Sequence, residues 1–367
     1  TWVRPLRRIV CLFDGRIVPG SLDLGAEKIP FSNQTQGHRF MAPETIHISS
    51  FEHYQRDLEK AYVVLDQTKR REKILRDMQE QASGIGCSIN PDPELLDEVT
   101  GLVEWPVVLM GRIDQHYMDL PADVLITSLK MHQKYFTLHH KNGSLAPYYF
   151  IVSHIEAKDK GEAIIKGNSR VLNARLSDAA FFYTQDQKKR LEDFLLPLRD
   201  VIFHVDLGSM QARIHRLKEM STFLAACLGA SSEKAQRAAE LAKADLMTEM
   251  VKEFPNLQGT MGYYYALLQG EDEEVAQALV DHYNPKGPQS PLPCNLTGQI
   301  VALADKLDIL VGFFAIGIKP TGSKDPYALR RCALGIVRLL EALPQLNLER
   351  LIEKAYTLHQ ETIHPSK

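Results

Sequence analysis

Strand signals stop near residue 153, and from there to residue 367 the chain reads as one helix after another. Strands first and helices after restrict it to an α+β architecture, because α/β folds need the two kinds of element to alternate. At the start, residues 9–13 are apolar, Asp14-Gly15 is a hairpin signal and residues 16–19 return, which predicts the beginning of a mixed sheet. Residues 34–40 form a polar loop ending in His38-Arg39, read as the cap of a sheet edge in preference to a ligand contact. Residues 51–81 show helical periodicity, and the cluster Lys69, Arg70, Arg71, Lys73 and Arg76 is interleaved with Asp66, Glu72, Asp77 and Glu80. Mixed signs at that spacing predict a solvated face carrying i,i+4 pairs. Glycines 84 and 86 and prolines 91 and 93 connect to a short helix at 94–99.

A helix over 121–131 runs into a strand at 134–140, which turns at Asn142-Gly143 and pairs with 145–153. Lys130, His132 and Lys134 with Tyr135 and Phe136 crowd the entrance of that strand. Cations beside aromatic rings suit phosphate contact and base stacking; a half-buried strand start accounts for them equally well. The polar stretch 156–161 is the predicted boundary, giving domains 1–160 and 161–367. Beyond it come a helix at 167–183 carrying Arg170 and Arg175, then helices at 209–228, 232–250, 261–269, 271–282, 299–311 and 325–341.

The last of these follows a loop rich in cations, Gly317-Ile-Lys-Pro-Thr-Gly-Ser-Lys-Asp-Pro-Tyr-Ala-Leu-Arg-Arg331. Asp325 before Pro326 reads as N-cap and first helical residue. Leu329, Cys332, Ala333, Ile336 and Leu340 make a buried stripe, and Arg331, Gly335, Arg338 and Ala342 a basic, small-residue stripe beside it that a partner could approach closely. Free N–H groups at the helix start, with Thr321, Ser323 and Lys324 just upstream, suit a phosphate; a capped core helix with two solvated arginines is the alternative. Gly317 and Gly322 have P-loop spacing, but Ser323 precedes Lys324 where a P-loop needs Gly-Lys-Ser/Thr, so ATP binding here is rejected.

Asp245 and Asp305 sit on helices whose other faces are apolar, so each carboxylate is at least partly buried and needs a partner. A metal held in a helical bundle is one candidate. The residue before Asp245 is Ala244 where a His-Asp pair would need histidine, and His215 and His282 are the nearby alternatives. Salt bridges to arginine or lysine are therefore the preferred reading. A net charge of −3 gives no global basic field, so any nucleic-acid contact is local. Five scattered cysteines without a CxxC pair argue against a disulfide framework or zinc knuckle and for a reducing compartment. No apolar run or signal segment predicts membrane spanning or export, and a start at Thr1 reads as an excised piece.

Thr35-Gln-Gly-His-Arg-Phe40, Leu125-Ile-Thr-Ser-Leu-Lys-Met-His-Gln-Lys-Tyr-Phe136, the segment 167–183, Leu241-Ala-Lys-Ala-Asp-Leu-Met-Thr-Glu-Met-Val251, Phe254-Pro-Asn-Leu-Gln-Gly259, Ala302-Leu-Ala-Asp-Lys-Leu-Asp308 and the segment 320–331 together resemble the beta subunit of the bacterial-type, two-subunit glycyl-tRNA synthetase, in family order along the whole chain. The resemblance implies a mixed α/β module similar to the B3/B4 region of phenylalanyl-tRNA synthetase, followed by an all-α HD-type domain. It implies the middle portion of a beta subunit, separate or fused to alpha, in a heterotetrameric ligase of protein biosynthesis. ATP and magnesium are then used at the alpha subunit, and none by this piece, which holds no catalytic residues. The partners implied are glycine tRNA and the alpha subunit, without DNA or membrane, in the cytoplasm or, for a plastid-type fused enzyme, an organellar stroma or matrix.

The role expected is to position the acceptor arm of glycine tRNA. Lys319, Thr321, Ser323, Lys324, Arg330 and Arg331 are the leading contacts, and Arg170, Arg175, Lys130, His132 and Lys134 the second group. Asp245 and Asp305 match the HD positions without a metal, and Arg330 is an alternative counter-charge for them. A metal-dependent phosphohydrolase or editing deacylase, and a module that docks the alpha subunit, are the competing expectations.

Overall fold

A computed structural model describes residues 6–25, 27–322 and 324–360. The chain falls into two compact units, 1–177 and 178–367, and the fold is α+β.

In the first unit Ile9–Val10 pairs in parallel with Lys28–Ser32, which takes Ser21–Asp23 antiparallel on its other side, so the small N-terminal sheet is mixed. Leu12–Phe13 and Arg16–Ile17 form the hairpin that Asp14-Gly15 predicts, with φ of +47° and +71° at those two residues, as a primed turn needs. Gln34–Gln36 pairs with Thr45–His47; the segment read as an edge cap is thus a strand in its first half. The helix predicted over 51–81 is two, α1 (Phe51–Lys60) and α2 (Gln67–Gly84). Asp66 causes the restart by accepting from the N–H groups of Thr68 at 2.8 Å and Lys69 at 3.4 Å.

Helix α3 (Pro93–Leu102) and α4 (Ala122–Thr127), which continues as a π turn over Ser128–His132, frame an antiparallel sheet. Its strand order is Cys87–Ile89, Phe136–His140, Leu145–Ser153, Val107–Arg112, with the central hairpin turning at Asn142-Gly143. Neighbours along a strand face opposite sides of the sheet. Phe150 joins Phe136 and Leu138 against Ile74, Met78 and Ala82 of α2 and Leu95, Leu96 and Val99 of α3. Tyr149, one residue earlier, stacks on Tyr135 at 5.0 Å, and the two hydroxyls meet Ser169 Oγ at 2.9 Å and Asn168 Oδ1 at 2.6 Å at the start of α5 (Glu162–Asp186). The division between the units falls within α5.

The second unit is helical: α6 (Met210–Leu228), α7 (Ser232–Leu241), α8 (Glu249–Glu253), α9 (Thr260–Leu268), α10 (Glu273–Asp281), α11 (Leu296–Ala315), α12 (Leu329–Ala342) and α13 (Leu348–Gln360). The helix predicted over 232–250 is broken at Lys243 into α7, a 3-10 turn at Ala244–Met247 and α8. Thr248 starts α8 afresh, its side chain accepting from Val251 N–H. Helix α13 adds one element beyond those the periodicity names. Helix α11 is the core element: Asn295 caps it by accepting from Gly298 N–H at 2.6 Å, and 14 of its 20 residues are buried. Among the described residues no helix is long and apolar enough to cross a membrane.

Candidate functional site

Helix α12 begins at Leu329, not at Pro326. Asp325 still caps it, from four residues away: Oδ1 accepts from Leu329 N–H at 2.8 Å and Oδ2 from Arg330 N–H at 3.0 Å. Those two N–H groups, with Arg330 and Arg331 nearby, hold the Asp325 carboxyl below its usual value despite its partial desolvation. The phosphate expected at this helix start is therefore displaced by the chain's own carboxylate, and the N–H groups are not available to an external anion.

The stripe offered for close approach is also occupied from within. Arg338 Nη1 donates to the carbonyls of Gly287 at 2.8 Å and Ser290 at 2.7 Å. Gly335 is buried, and a Cβ there would lie 2.7 Å from Cδ and Cε of Lys306, whose side chain uses the gap. Arg330 Nη2 donates to Thr321 O, and Thr321 N–H to Lys324 O at 2.9 Å, so Arg330 secures the loop and does not neutralise the buried aspartates. Ser323 lies outside the described residues. Lys319, Lys324 and Arg331 are exposed and form no ion pair among the described residues.

The second group of candidate contacts belongs to the first unit. Lys130 pairs with Asp92 at 2.6 Å and Lys134 with Glu98 at 2.9 Å, because both lysines face the acidic side of α3; in this structure both ammonium groups are paired with carboxylates. His132 is exposed at the end of the π turn, Arg170 is exposed on α5 and Arg175 is half-buried on the same helix.

The densest chemistry lies where α6, α11 and the turn at Lys243 meet. Arg213 and Arg216 are three residues apart on α6, Asp305 and Asp308 three apart on α11, and the two pairs face each other. Arg213 Nη2 lies 2.9 Å from Asp305 Oδ1, and Arg216 grips Asp308 as a fork, Nε to Oδ1 at 2.6 Å and Nη2 to Oδ2 at 3.3 Å. His359 of α13 closes on Asp308 Oδ1 at 3.2 Å. Lys243 Nζ lies 3.1 Å from Asp305 Oδ1, donates to His282 Nε2 at 2.7 Å and sits 4.1 Å from the centre of the Tyr283 ring. Lys306 donates to the carbonyls of His282 and Asn284. His215, by contrast, points to solvent.

Apart from His215 the charged groups here are buried, and their ionisation follows from who faces whom. Burial works against the charge on Asp305, yet Lys243 and Arg213 outweigh it and hold that carboxyl below its ordinary range. Burial pulls the Lys243 ammonium down to about 8, with Asp305 opposing. Burial and the Lys243 charge push His282 well below its ordinary value, and its Nδ1 donates to Leu279 O at 2.8 Å. Asp245 differs: its Oδ2 accepts from the N–H groups of Gly259 and Gly262, Oδ1 is buried without a hydrogen bond, and burial pushes the carboxyl up to about 6 against those two donors.

A carboxyl raised in the fold keeps a proton that the unfolded chain has lost between about pH 4 and 6. Its contribution thus favours folding at low pH and is lost as pH rises through 6. Asp245→Asn lacks that titration, so its stability relative to the parent is expected to rise by about 2 kcal/mol between pH 4 and pH 7. Urea unfolding of both proteins at the two pH values measures this; a difference independent of pH would contradict it.

Comparison with known proteins decides the family. The family model described as glycyl-tRNA synthetase beta subunit matches residues 1–366. The chain belongs to the glycyl-tRNA synthetase beta subunit family. It is 45% identical over 362 residues to the glycine–tRNA ligase beta subunit of Rhodospirillum centenum, covering 92% of this chain and 51% of that one. Against the beta subunit of Neisseria meningitidis serogroup C identity is 47%, over 97% of this chain and 51% of the relative, and against that of Rickettsia canadensis 45%, over 100% and 54%. The chain thus spans about half the length of the curated relatives it matches.

Whether the expected HD positions Asp245 and Asp305 could hold a metal can be tested on the residues present, and they do not fit one. Asp305 Oδ1 is taken by the cations of Arg213 and Lys243, Asp245 Oδ2 by the amides of Gly259 and Gly262, and an ammonium fills the space between Asp305 and His282. Among the described residues no group of three or more His, Cys, Asp or Glu is arranged to hold a metal. Sequence reasoning named Asp245 and Asp305 but missed Arg213 and Lys243 as the counter-charges of Asp305 and Arg216 as that of Asp308, and the salt bridge expected at Asp245 is replaced by two backbone amides. The matching three-residue spacing of Arg213/Arg216 and Asp305/Asp308 was the available signal.

Proposed function

We propose that this chain is the tRNA-binding part of a glycine–tRNA ligase beta subunit. It holds the acceptor arm of glycine tRNA so that the 3′ end reaches an active site on the alpha subunit, or fused alpha region, where ATP and magnesium support glycylation. On this reading residues 1–160 form a B3/B4-like module and residues 161–367 an HD-like helical domain, working in the cytoplasm or an organellar matrix.

The observation that carries the proposal is the loop of family member residues 317–331. It is braced from behind by Arg330 and Asp325 while Lys319, Lys324 and Arg331 stand exposed without acidic partners among the described residues. Cations fixed on a braced loop neutralise backbone phosphates of A-form RNA without reading bases. The phosphohydrolase reading loses support from Lys243, whose ammonium lies where a metal would have to bind.

Lys324→Ala with Arg331→Ala is expected to weaken binding of glycine tRNA about tenfold or more and to lower the slope of log affinity against log salt by roughly 2, about one per cation removed. A filter-binding series across salt concentrations measures both. Unchanged affinity and slope would remove the loop from the interface.

A further inference from the structure

The turn Gly37-His38-Arg39-Phe40 in the first unit has no part in the reading above, yet it is tightly built. His38 N–H donates to Ala61 O at 2.8 Å, and the approach is so close that a Cβ on Gly37 would lie 2.4 Å from Ala61 Cβ. The His38 ring, 2% exposed as a residue, accepts at Nδ1 from the N–H groups of Phe40 at 3.3 Å and Met41 at 3.2 Å. A nitrogen that accepts carries no proton, so the neutral ring carries its proton on Nε2. That N–H has no hydrogen-bond partner among the described residues.

The ring lines a cavity of about 400 Å³ together with His154, Arg70, Glu104, Val63 and Leu102. His154 faces it at 5.6 Å between ring centres. Arg70 is fixed by donating to Val64 O at 2.6 Å and Leu65 O at 3.0 Å. At the same turn Phe40 is 62% exposed, with the Arg39 guanidinium 5.2 Å from its ring centre, and Arg39 makes no ion pair among the described residues.

The cavity therefore offers the unpartnered His38 N–H, a second imidazole, the acidic residue Glu104 in its lining and apolar walls, with an uncompensated cation and an open aromatic face at the turn. A phosphate inside would lie beside the acidic residue Glu104, whereas an uncharged heterocyclic base can accept from the His38 N–H and stack against the imidazoles. We propose that this cavity takes the base of one unpaired RNA nucleotide, with its phosphate at Arg39 and the neighbouring base stacked on Phe40. Stacking on an exposed ring beside a cation is the general means by which single strands are held without a fixed sequence. The proposal rests on the RNA-binding reading and adds a single-strand site to it.

Phe40→Ala, Arg39→Ala and His154→Ala change exposed side chains. Fluorescence anisotropy on the whole protein, with labelled hexaadenylate and hexauridylate and with a blunt RNA duplex, tests the site. Phe40→Ala and His154→Ala are each expected to weaken single-strand binding about tenfold, within the range of one lost stacking contact, and leave duplex binding unchanged. Arg39→Ala should weaken single-strand binding and reduce its salt dependence. Unchanged single-strand affinity in all three variants, or an equal loss on duplex and single strand, overturns the site while leaving RNA binding itself in place. Failure of the unsubstituted protein to bind any RNA overturns both the site and the reading beneath it.

Discussion

Arg216→Ala is expected to cost the fold about 3 to 5 kcal/mol, the range for removing one member of a buried ion pair. The guanidinium is essentially inaccessible and is the largest fully buried side chain in the chain's described part. Its loss leaves Asp308 in the core with His359 and a longer contact from Arg213 Nε at 3.3 Å. The expense is that of a buried carboxylate stripped of its two-pronged partner, and it exceeds the net value of the pair itself. Replacing both partners, Arg216→Met with Asp308→Leu, should therefore recover most of the loss. Urea unfolding followed by circular dichroism decides between these outcomes: a single-variant loss below about 1 kcal/mol, or a double variant no better than the single, would contradict the argument.

The second large effect is expected at Asp186, the last residue of α5. Its carboxylate is buried and accepts three donors, the N–H groups of Glu249 at 2.9 Å and Met250 at 3.0 Å and the hydroxyl of Tyr265 at 2.9 Å. It caps the start of α8 from 63 residues away, a task that Thr248, which serves Val251 N–H, does not perform for the first two amides. Asp186→Ala strands all three donors in the core and should cost about 3 kcal/mol or more, since each buried donor left unmade costs about 1 to 3. Asp186→Asn keeps an acceptor and should cost clearly less. Equal losses in the two variants, measured by the same unfolding assay, would show that the hydrogen bonds are not what Asp186 contributes.

What could be read in advance followed from local rules. The primed turn at Asp14-Gly15, the hairpin at Asn142-Gly143, the mixed N-terminal sheet and the apolar faces that bury Asp245 and Asp305 depend on neighbours within a few residues, and the sequence states those directly. Errors arose where one residue had two possible uses. Asp66 was legible as a charge on a solvated face, yet it serves as an N-cap and splits the helix. Asp325 was legible as a cap, but not that both of its oxygens would fill the amides offered to phosphate. Arg70 was legible as one more surface cation and instead spends its donors on backbone carbonyls. The partners of the buried aspartates were the least accessible, because Arg213 and Asp305 are separated by 92 residues and only the three-dimensional packing brings them together.

The ladder of Arg213 and Arg216 against Asp305 and Asp308 also answers a question of alignment. Helix α11 is apolar on nearly every side, and a greasy rod among greasy neighbours can turn about its axis or slide by a turn at little cost. With two fixed cations on α6 and two fixed anions at the same pitch, one rotation and one height satisfy all four charges, and a slip of a single turn strands at least one of each sign. The charges then act as a key whose teeth set where the rod stops. The double variant Arg216→Met with Asp308→Leu should show this as restored stability with a less uniquely packed core, seen as broadened side-chain resonances; sharp, single resonances would assign the alignment to shape alone.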